Sequence, residues 1–303
     1  MRLIFAGTPA NAAQALEIVA ANHEVALVIT RPDAPTGRKR LLTPSPVAVV
    51  ASNLDLPVLK TARIGPQELE LIGKSSAELA LVVAYGAMIP AAALNLLPWW
   101  NLHFSMLPMW RGATPLQHSI LHGGVGAGVT LFKLDTGLDT GLIVAQKPIQ
   151  LGVNESTAEA LPRFTAIGME LFQNAVAQEE VSLEPQVGPT SYAPKLVREE
   201  ARLDLVRTAQ QLHQAVLAFN PEPMAWLECD GSPLRIIESR SLGDTDWVGA
   251  GYAPGRITKS GDKVLLEAGS GTQLELIKVQ PAGKNVMLAG DWYRGQSSEV
   301  FLG

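Results

Sequence analysis

Leu3-Ile4-Phe5-Ala6-Gly7-Thr8-Pro9 opens the chain, an alanine-rich run follows to about Asn22, and Glu24-Val25-Ala26-Leu27-Val28-Ile29-Thr30 completes the stretch that decides the fold. Leu3–Gly7 reads as a short apolar strand ended by glycine. Thr8-Pro9 reads as a helix start, a hydroxyl to cap exposed amides followed by proline where no donor is needed. Glu24–Thr30 is mostly β-branched and apolar, which suits a strand. Strand, helix and strand within about thirty residues make a βαβ unit, and that unit implies a parallel sheet.

Outward from this unit, further strands are expected at Leu79–Tyr85, Trp99–Phe104, Val129–Leu134 and Ile143–Gln146. Pro46–Leu54 and Thr114–His122 read as helices, the second again opening with Thr-Pro. Ser156-x-x-Glu159 is a capping box for a helix reaching about Ala177, with Pro162 bending its first turns. Leu79 to Trp100 carries no charge and approaches the length of a membrane span. Gly86, Pro90, Asn95 and Pro98 interrupt it, and buried parallel strands also read as unbroken apolar runs.

The texture changes after Glu180. A polar, proline-spaced stretch, Glu184-Pro185-Gln186-Val187-Gly188-Pro189-Thr190, reads as a linker into the charged Lys195–Arg202 segment. Thr208–Phe219 is an amphipathic helix with Leu212, Val216 and Phe219 on one stripe. Short strands at Ala225–Cys229, Leu234–Ile237, Gly255–Thr258, Val264–Glu267 and Leu274–Val279, spaced by glycine and proline turns, point to a small barrel. The expected architecture is α/β: a Rossmann-like domain with a mostly parallel sheet over residues 1–190, a linker over 191–205, and an OB-like β-barrel over 206–303.

The 303 residues are 47% hydrophobic and 17% charged, which fits packed globular cores and excludes a disordered or coiled-coil chain. A formal net charge of -5 argues against non-specific nucleic-acid binding unless positive charge is local. The single cysteine, Cys229, rules out an internal disulfide and a cysteine-cluster metal site. The first apolar run is too short for a signal peptide, so a cytoplasmic protein that does not enter membranes is expected.

The first βα turn, Gly7-Thr8-Pro9-Ala10-Asn11, lacks the second and third glycines of a dinucleotide fingerprint, which disfavours a nicotinamide enzyme. Asn101-Leu102-His103-Phe104-Ser105-Met106-Leu107-Pro108 carries more chemistry. In a strand with period two, Asn101 and His103 share a face, and at the carboxyl end of a parallel strand they lie where open α/β sheets bind ligands. Such a pair can donate to an oxygen gathering negative charge; it can equally be a capped strand end with a structural histidine. Downstream, Asp135 and Asp139 each sit in a glycine-containing loop after a strand, as turn formers or as a carboxylate for a nearby imidazole. Arg31, Arg38, Lys39 and Arg40, opposed only by Asp33, are the densest basic run, and a charge run is ordinarily a solvated face.

Asn101-x-His103-x-Ser105-x-Leu107-Pro108, with Gly128-Val129-Thr130 and Asp139-Thr140-Gly141, resembles the folate-dependent formyltransferases. Phe5-Ala6-Gly7-Thr8-Pro9, Arg31-Pro32-Asp33, Gly37-Arg38, Val82-Val83-Ala84-Tyr85-Gly86 and Trp110-Arg111-Gly112-Ala113 extend the likeness. Tyr192-Ala193-x-Lys195, Ala218-Phe219-Asn220-Pro221 and Gln280-Pro281-Ala282-Gly283-Lys284 carry it through the second half, to the members of the family that act on tRNA. The resemblance implies a monomeric enzyme that takes its formyl group from 10-formyltetrahydrofolate, uses no metal, and acts on initiator methionyl-tRNA. It places the catalytic trio on Asn101, His103 and Asp139, with Asp139 raising the pKa of His103. It places folate contacts on Tyr85, Gly86, Ser105, Met106, Leu107 and Pro108, and tRNA contacts on Arg38, Lys39 and Arg40. Departures from the family pattern are Ala10-Asn11, Trp99-Trp100, Phe104 and Leu205, which touch the shape of the cleft more than the reaction.

Overall fold

The computed structural model describes residues 1–37, 40–243, 252–296 and 299–303. The chain forms two compact units. The first comprises Met1–Pro115, Gly126–Gln150 and Leu161–Pro194; the second comprises Leu116–Val125, Leu151–Ala160 and Lys195–Gly303.

The first unit opens as the sequence implies: β1 (Arg2–Gly7), α1 (Ala10–Asn22) and β2 (Glu24–Thr30). The Thr8 hydroxyl does not cap α1. Pro9 is the N-cap without a side-chain bond, and Thr8 Oγ1 donates instead to the Tyr85 carbonyl at 2.9 Å. The short side chain sits where two parallel strands end side by side, so a neighbouring strand's orphan carbonyl is the nearer partner.

A small hairpin follows, β3 (Ala34–Thr36) and β4 (Leu41–Thr43), then α2 (Pro46–Asn53), whose Ser45 cap accepts from Ala48 N at 3.0 Å. Next come β5 (Val58–Lys60), α3 (Pro66–Lys74), β6 (Leu79–Val83), α4 (Ala91–Leu94), β7 (Trp99–His103), β8 (Arg111–Gly112), α5 (Pro115–Leu121), β9 (Gly128–Lys133), β10 (Ile143–Pro148) and α6 (Thr157–Val176). Only half of the capping box forms at the start of α6: Glu159 Oε2 accepts from Ser156 N at 2.9 Å and from Ser156 Oγ at 2.7 Å, while Glu159 N donates to the Ser156 carbonyl, not to its hydroxyl.

The large sheet has seven strands in the order β10-β9-β7-β6-β1-β2-β5. From β7 to β5 every pairing is parallel, while β9 and β10 join antiparallel at one edge. The chain winds outward from β1 to β5, then crosses back to β6 on the other side of β1. The strand order therefore reverses between β1 and β6, the point where Rossmann-like sheets bind ligands. Alternate residues Ile4, Ala6, Leu27, Ile29, Ala80, Val82 and Trp99 form a core cluster with Ile72 and Ala93 from α3 and α4. By the period of two, Asn101 and His103 continue the same face, beyond the end of that helical cover. On the opposite face Trp100 packs edge-on against Phe172 of α6, with ring centroids 6.3 Å apart.

Residues 184–194 do not form a loose tether. Ile143 N and Glu184 N exchange backbone bonds of 2.7 and 2.9 Å, and β11 (Tyr192–Ala193) pairs in parallel with β8. A polar, proline-spaced composition describes an irregular path, which a chain can follow while anchored through its backbone at Glu184, Ser191 and Ala193.

In the second unit, α7 (Ala209–Phe219) has a complete capping box between Thr208 and Gln211. The sheet comprises β12 (Trp226–Cys229), β13 (Ser232–Ser241), β14 (Ile257–Ser260), β15 (Lys263–Glu267), β16 (Gln273–Pro281) and β17 (Met287–Leu288), followed by α8 (Ala289–Arg294). It is an antiparallel half-barrel in the order β12-β13-β16-β15-β14, with β17 on β16 and register shifts within β13. The last residues bridge its two edges: Ile257 N donates to Val300 O at 2.9 Å, and Gly303 N to Glu228 O at 2.9 Å. Edge strands left unpaired are sites of unwanted association, and this bridge covers them.

Candidate active site

His103 ends β7 with 4% of its surface exposed. Its Nε2 lies 2.9 Å from the Trp110 carbonyl oxygen. A carbonyl only accepts, so Nε2 carries the hydrogen and Nδ1 is the nitrogen that titrates. Nδ1 faces Asp139 Oδ2 at 3.8 Å, too far for a hydrogen bond but close for Coulomb attraction once the ring is charged. Phe132 of β9 closes the ring's flank edge-on at 6.3 Å.

Burial pushes the His103 imidazole below its ordinary pKa, and the Asp139 carboxylate and the Trp110 carbonyl pull it back only in part. The resemblance implies a histidine raised by its aspartate. The aspartate does pull upward, but the loss of water around the ring outweighs it. At neutral pH the imidazole is uncharged, with the Nδ1 lone pair available.

Asp139 stands on the loop after β9 with a φ of 53°, in the left-handed region that non-glycine residues seldom occupy. Its Oδ2 accepts from Gly112 N at 2.8 Å. Gly112 itself has φ 128°, and a Cβ there would sit 2.5 Å from the Ala193 carbonyl oxygen. Only glycine brings that amide to the carboxylate. Gly112→Ala is expected to push β11 off β8 and cost about tenfold or more in turnover, with a lowered melting temperature. Steady-state rates and a thermal melt check this.

Asn101, two residues before His103 on the same face, is half-buried. Among the described residues no protein group bonds its carboxamide, so both amide hydrogens remain for a ligand.

The stretches expected to touch folate divide into inward and outward groups. The Tyr85 ring is buried, and its hydroxyl donates to the Thr61 carbonyl at 3.1 Å. Ser105 is fully buried, with its hydroxyl spent on the Met109 carbonyl at 2.6 Å. Leu107 is buried too, and Pro108 follows it inside. Thr130 and Gln146 brace this loop: Thr130 Oγ1 accepts from Leu107 N at 3.1 Å and donates to Ser105 O at 2.7 Å, while Gln146 Nε2 donates to Leu107 O at 2.8 Å. The surface is left to exposed Ala84, Gly86 and Met88 and to half-buried Met106. Ala84, at φ 48°, Trp110, at φ 61°, and Asp139 form a set of left-handed residues after β6, β7 and β9. Backbone held this way by its surroundings gathers at functional sites.

Of the basic run, Arg38 and Lys39 lie outside the described residues. Arg40 is exposed at the turn of the β3–β4 hairpin, and Arg31 Nη1 donates to the Ala62 carbonyl at 3.1 Å. No cluster of three or more potential metal ligands occurs among the described residues, and no described helix is long and apolar enough to cross a membrane. Gln186 and Ser191 read from sequence as linker and Gln146 as the last residue of a strand, and none of the three stands out as part of the site.

The chain matches the formyl transferase family over residues 1–176 and the formyl transferase C-terminal domain over residues 195–297. A protein of Leifsonia xyli subsp. xyli named methionyl-tRNA formyltransferase is 40% identical over 309 residues, covering 100% of each chain. An N-formyltransferase from Helicobacter canadensis, solved with folinic acid and dTDP-3-aminofucose, aligns with a TM-score of 0.65 at 18% identity over 92% of this chain and 98% of that one. A methionyl-tRNA formyltransferase from Clostridium thermocellum aligns with a TM-score of 0.60 at 15% identity over 94% of this chain and 100% of that one. At such identities the two structures speak to the fold alone.

Proposed function

The chain belongs to the formyl transferase family, and from that membership we propose that it moves the formyl group of 10-formyltetrahydrofolate onto the amino group of initiator methionyl-tRNA. It is a transferase. The observation that carries the reading is His103, neutral and buried, with Nδ1 directed at Asp139 and an unspent amide donor, Asn101, beside it on the same strand face. The full-length likeness to an enzyme named for tRNA supports the acceptor, and the folate analogue in a structural relative supports the donor. We further propose that it works as a monomer in the cytoplasm.

The donor supplies an activated formyl carbon. As the amine nitrogen bonds to that carbon, the formyl oxygen gains negative charge, and the Asn101 amide donates to it. The nitrogen must lose a proton, and His103 Nδ1 takes it; the imidazolium so formed is stabilised by Asp139. When the bond from the formyl carbon to the folate nitrogen breaks, His103 returns the proton to that nitrogen and is again neutral. Asp139 stays ionised throughout. Exposed Gly86 and half-buried Met106 offer the folate its wall, backed by the buried Tyr85, Ser105, Leu107 and Pro108.

The reading is tested by incubation with 10-formyltetrahydrofolate and charged initiator tRNA, beside free methionine. Formylation of the tRNA-bound amino acid alone is expected; formylation of neither, or equal use of the free amino acid, defeats it. The basic run gives a second test. An acidic protein binds RNA through concentrated positive charge, so Arg38→Ala is expected to weaken tRNA use, leave folate binding alone, and reduce the slope of log K against log salt by about 0.7 to 0.9. Arg38→Lys should rescue only in part, because an ammonium cannot present the planar fork of a guanidinium. Folate binding damaged with the salt slope intact would assign the loop to the small-molecule site.

A further inference from the structure

We propose that Gln186 is a positioning residue of this site, holding the Asp139 loop so that its carboxylate faces His103. Gln186 Nε2 donates to the Asp139 carbonyl at 2.8 Å and to the Gly141 carbonyl at 2.9 Å, which spends both amide hydrogens on the one loop. Its Oε1 accepts from Arg111 Nη2 at 2.7 Å and Nε at 3.2 Å. Arg111 is followed by Gly112, whose N–H bonds Asp139 Oδ2. The contacts form a closed ring: Asp139 main chain, Gln186 amide, Arg111 guanidinium, the Gly112 peptide, and back to the Asp139 carboxylate. The aspartate is gripped at its backbone and at its side chain by one connected set of groups.

Aspartate tolerates left-handed backbone better than most residues, but the position still costs energy that the surrounding contacts must offset. Gly141 fixes one end of the loop, where an added Cβ would collide with the Lys133 carbonyl. The Gln186 amide fixes the middle. The strap that carries Gln186 also reaches the other partner: Trp110 N donates to Ser191 Oγ at 2.9 Å, and the carbonyl of Trp110 holds His103 Nε2. Residues 186–193 thus set both members of the pair from one side, which a merely structural turn would not require.

The groups around the His103 ring are Asp139 from the loop after β9, the Trp110 carbonyl from the β7–β8 connection, and the Phe132 ring from β9; the Arg111 guanidinium is turned to Gln186. Releasing the loop therefore takes away the carboxylate's upward pull on the imidazole and leaves burial opposed by the Trp110 carbonyl alone.

The test uses the neutral substitutions Gln186→Met, which keeps the bulk, and Gln186→Ala, with full-length protein. The His103 ring is titrated by NMR in each. We expect its midpoint to fall, and kcat to fall about tenfold with the folate KM within about twofold. The inference rests on the formyl-transfer reading for its kinetic arm only. Should the parent protein not transfer formyl groups, that reading fails while the NMR arm still decides the role of Gln186. An unmoved His103 midpoint in both variants overturns the proposal, including where the melting temperature drops, because Gln186 would then serve stability alone.

Discussion

Asp139→Asn is expected to lower kcat by about two orders of magnitude or more, with the fold and tRNA affinity nearly unchanged, and His103→Ala to do the same. Asparagine has the shape of aspartate and still offers Gly112 N–H an acceptor, so the loop keeps its form. The charge is lost. When His103 Nδ1 takes the amine proton, a cation forms in a pocket with almost no water, and the carboxylate 3.8 Å away is its counter-charge. Because the interaction exists only once the proton has moved, its loss appears in kcat and hardly in KM. The double variant should be little worse than either single one, since the two groups act as a unit. Single-turnover rates, melting curves and tRNA binding check this, and turnover within about threefold of the parent for either variant would remove the pair from the mechanism.

The same geometry sets a pH dependence. The active form of His103 is neutral, and its pKa lies below the ordinary imidazole value because of burial. Activity should therefore be level through neutral pH and fall only as pH drops through that lowered pKa. Asp139→Asn removes an upward pull, so the acid limb should move to still lower pH. A limb that moves upward would mean the charged imidazole is the working form.

Asn101→Ala is the second large effect. An amide aimed at a developing oxyanion contributes about 3 kcal/mol, close to a hundredfold in kcat, in sites of this kind. The carboxamide has no partner among the described residues, so its removal leaves no buried group stranded and the fold should melt as before. Asn101→Asp should be at least as harmful despite equal size, because an ionised carboxylate cannot donate and repels the charge that Asn101 would stabilise. Equal rates for Asn101→Ala and the parent would show that the donor lies elsewhere.

The catalytic strand could be read from sequence because its information is local. Alternation puts Asn101 and His103 on one face, and the βαβ opening requires a parallel sheet whose strand ends gather ligands. α3 was not foreseen. Its Pro66 start and its Glu68 bond to Gly65 N at 2.9 Å are recognisable signals, but Ile72 is its only buried residue and the apolar stripe is too thin to see. The upward pull of Asp139 on His103 follows from the motif, but the opposing burial does not: a carboxylate partner can be guessed from a motif, whereas burial depends on Phe132 and Trp110 closing around the ring. Gln186 was invisible because its partners stand 45, 47 and 75 residues away and it lies in a proline-spaced stretch, between Pro185 and Val187.

The second unit is built from pieces made at different times. Thr157 Oγ1 donates to the Ala218 carbonyl at 2.9 Å, and Asn154 Oδ1 meets His213 Nε2 at 2.9 Å, with sequence separations of 61 and 59. At the usual pace of synthesis, about 5 to 20 residues per second, residues 151–160 wait roughly 3 to 12 seconds on the ribosome for the helix that completes them. A fragment halted at residue 190 never ends that wait: it carries Asn154 and Thr157 with their partners missing. On the growing chain, segments of the second unit alternate in sequence with those of the first; the first is whole once Pro194 is made, and the second only when the last hundred residues arrive.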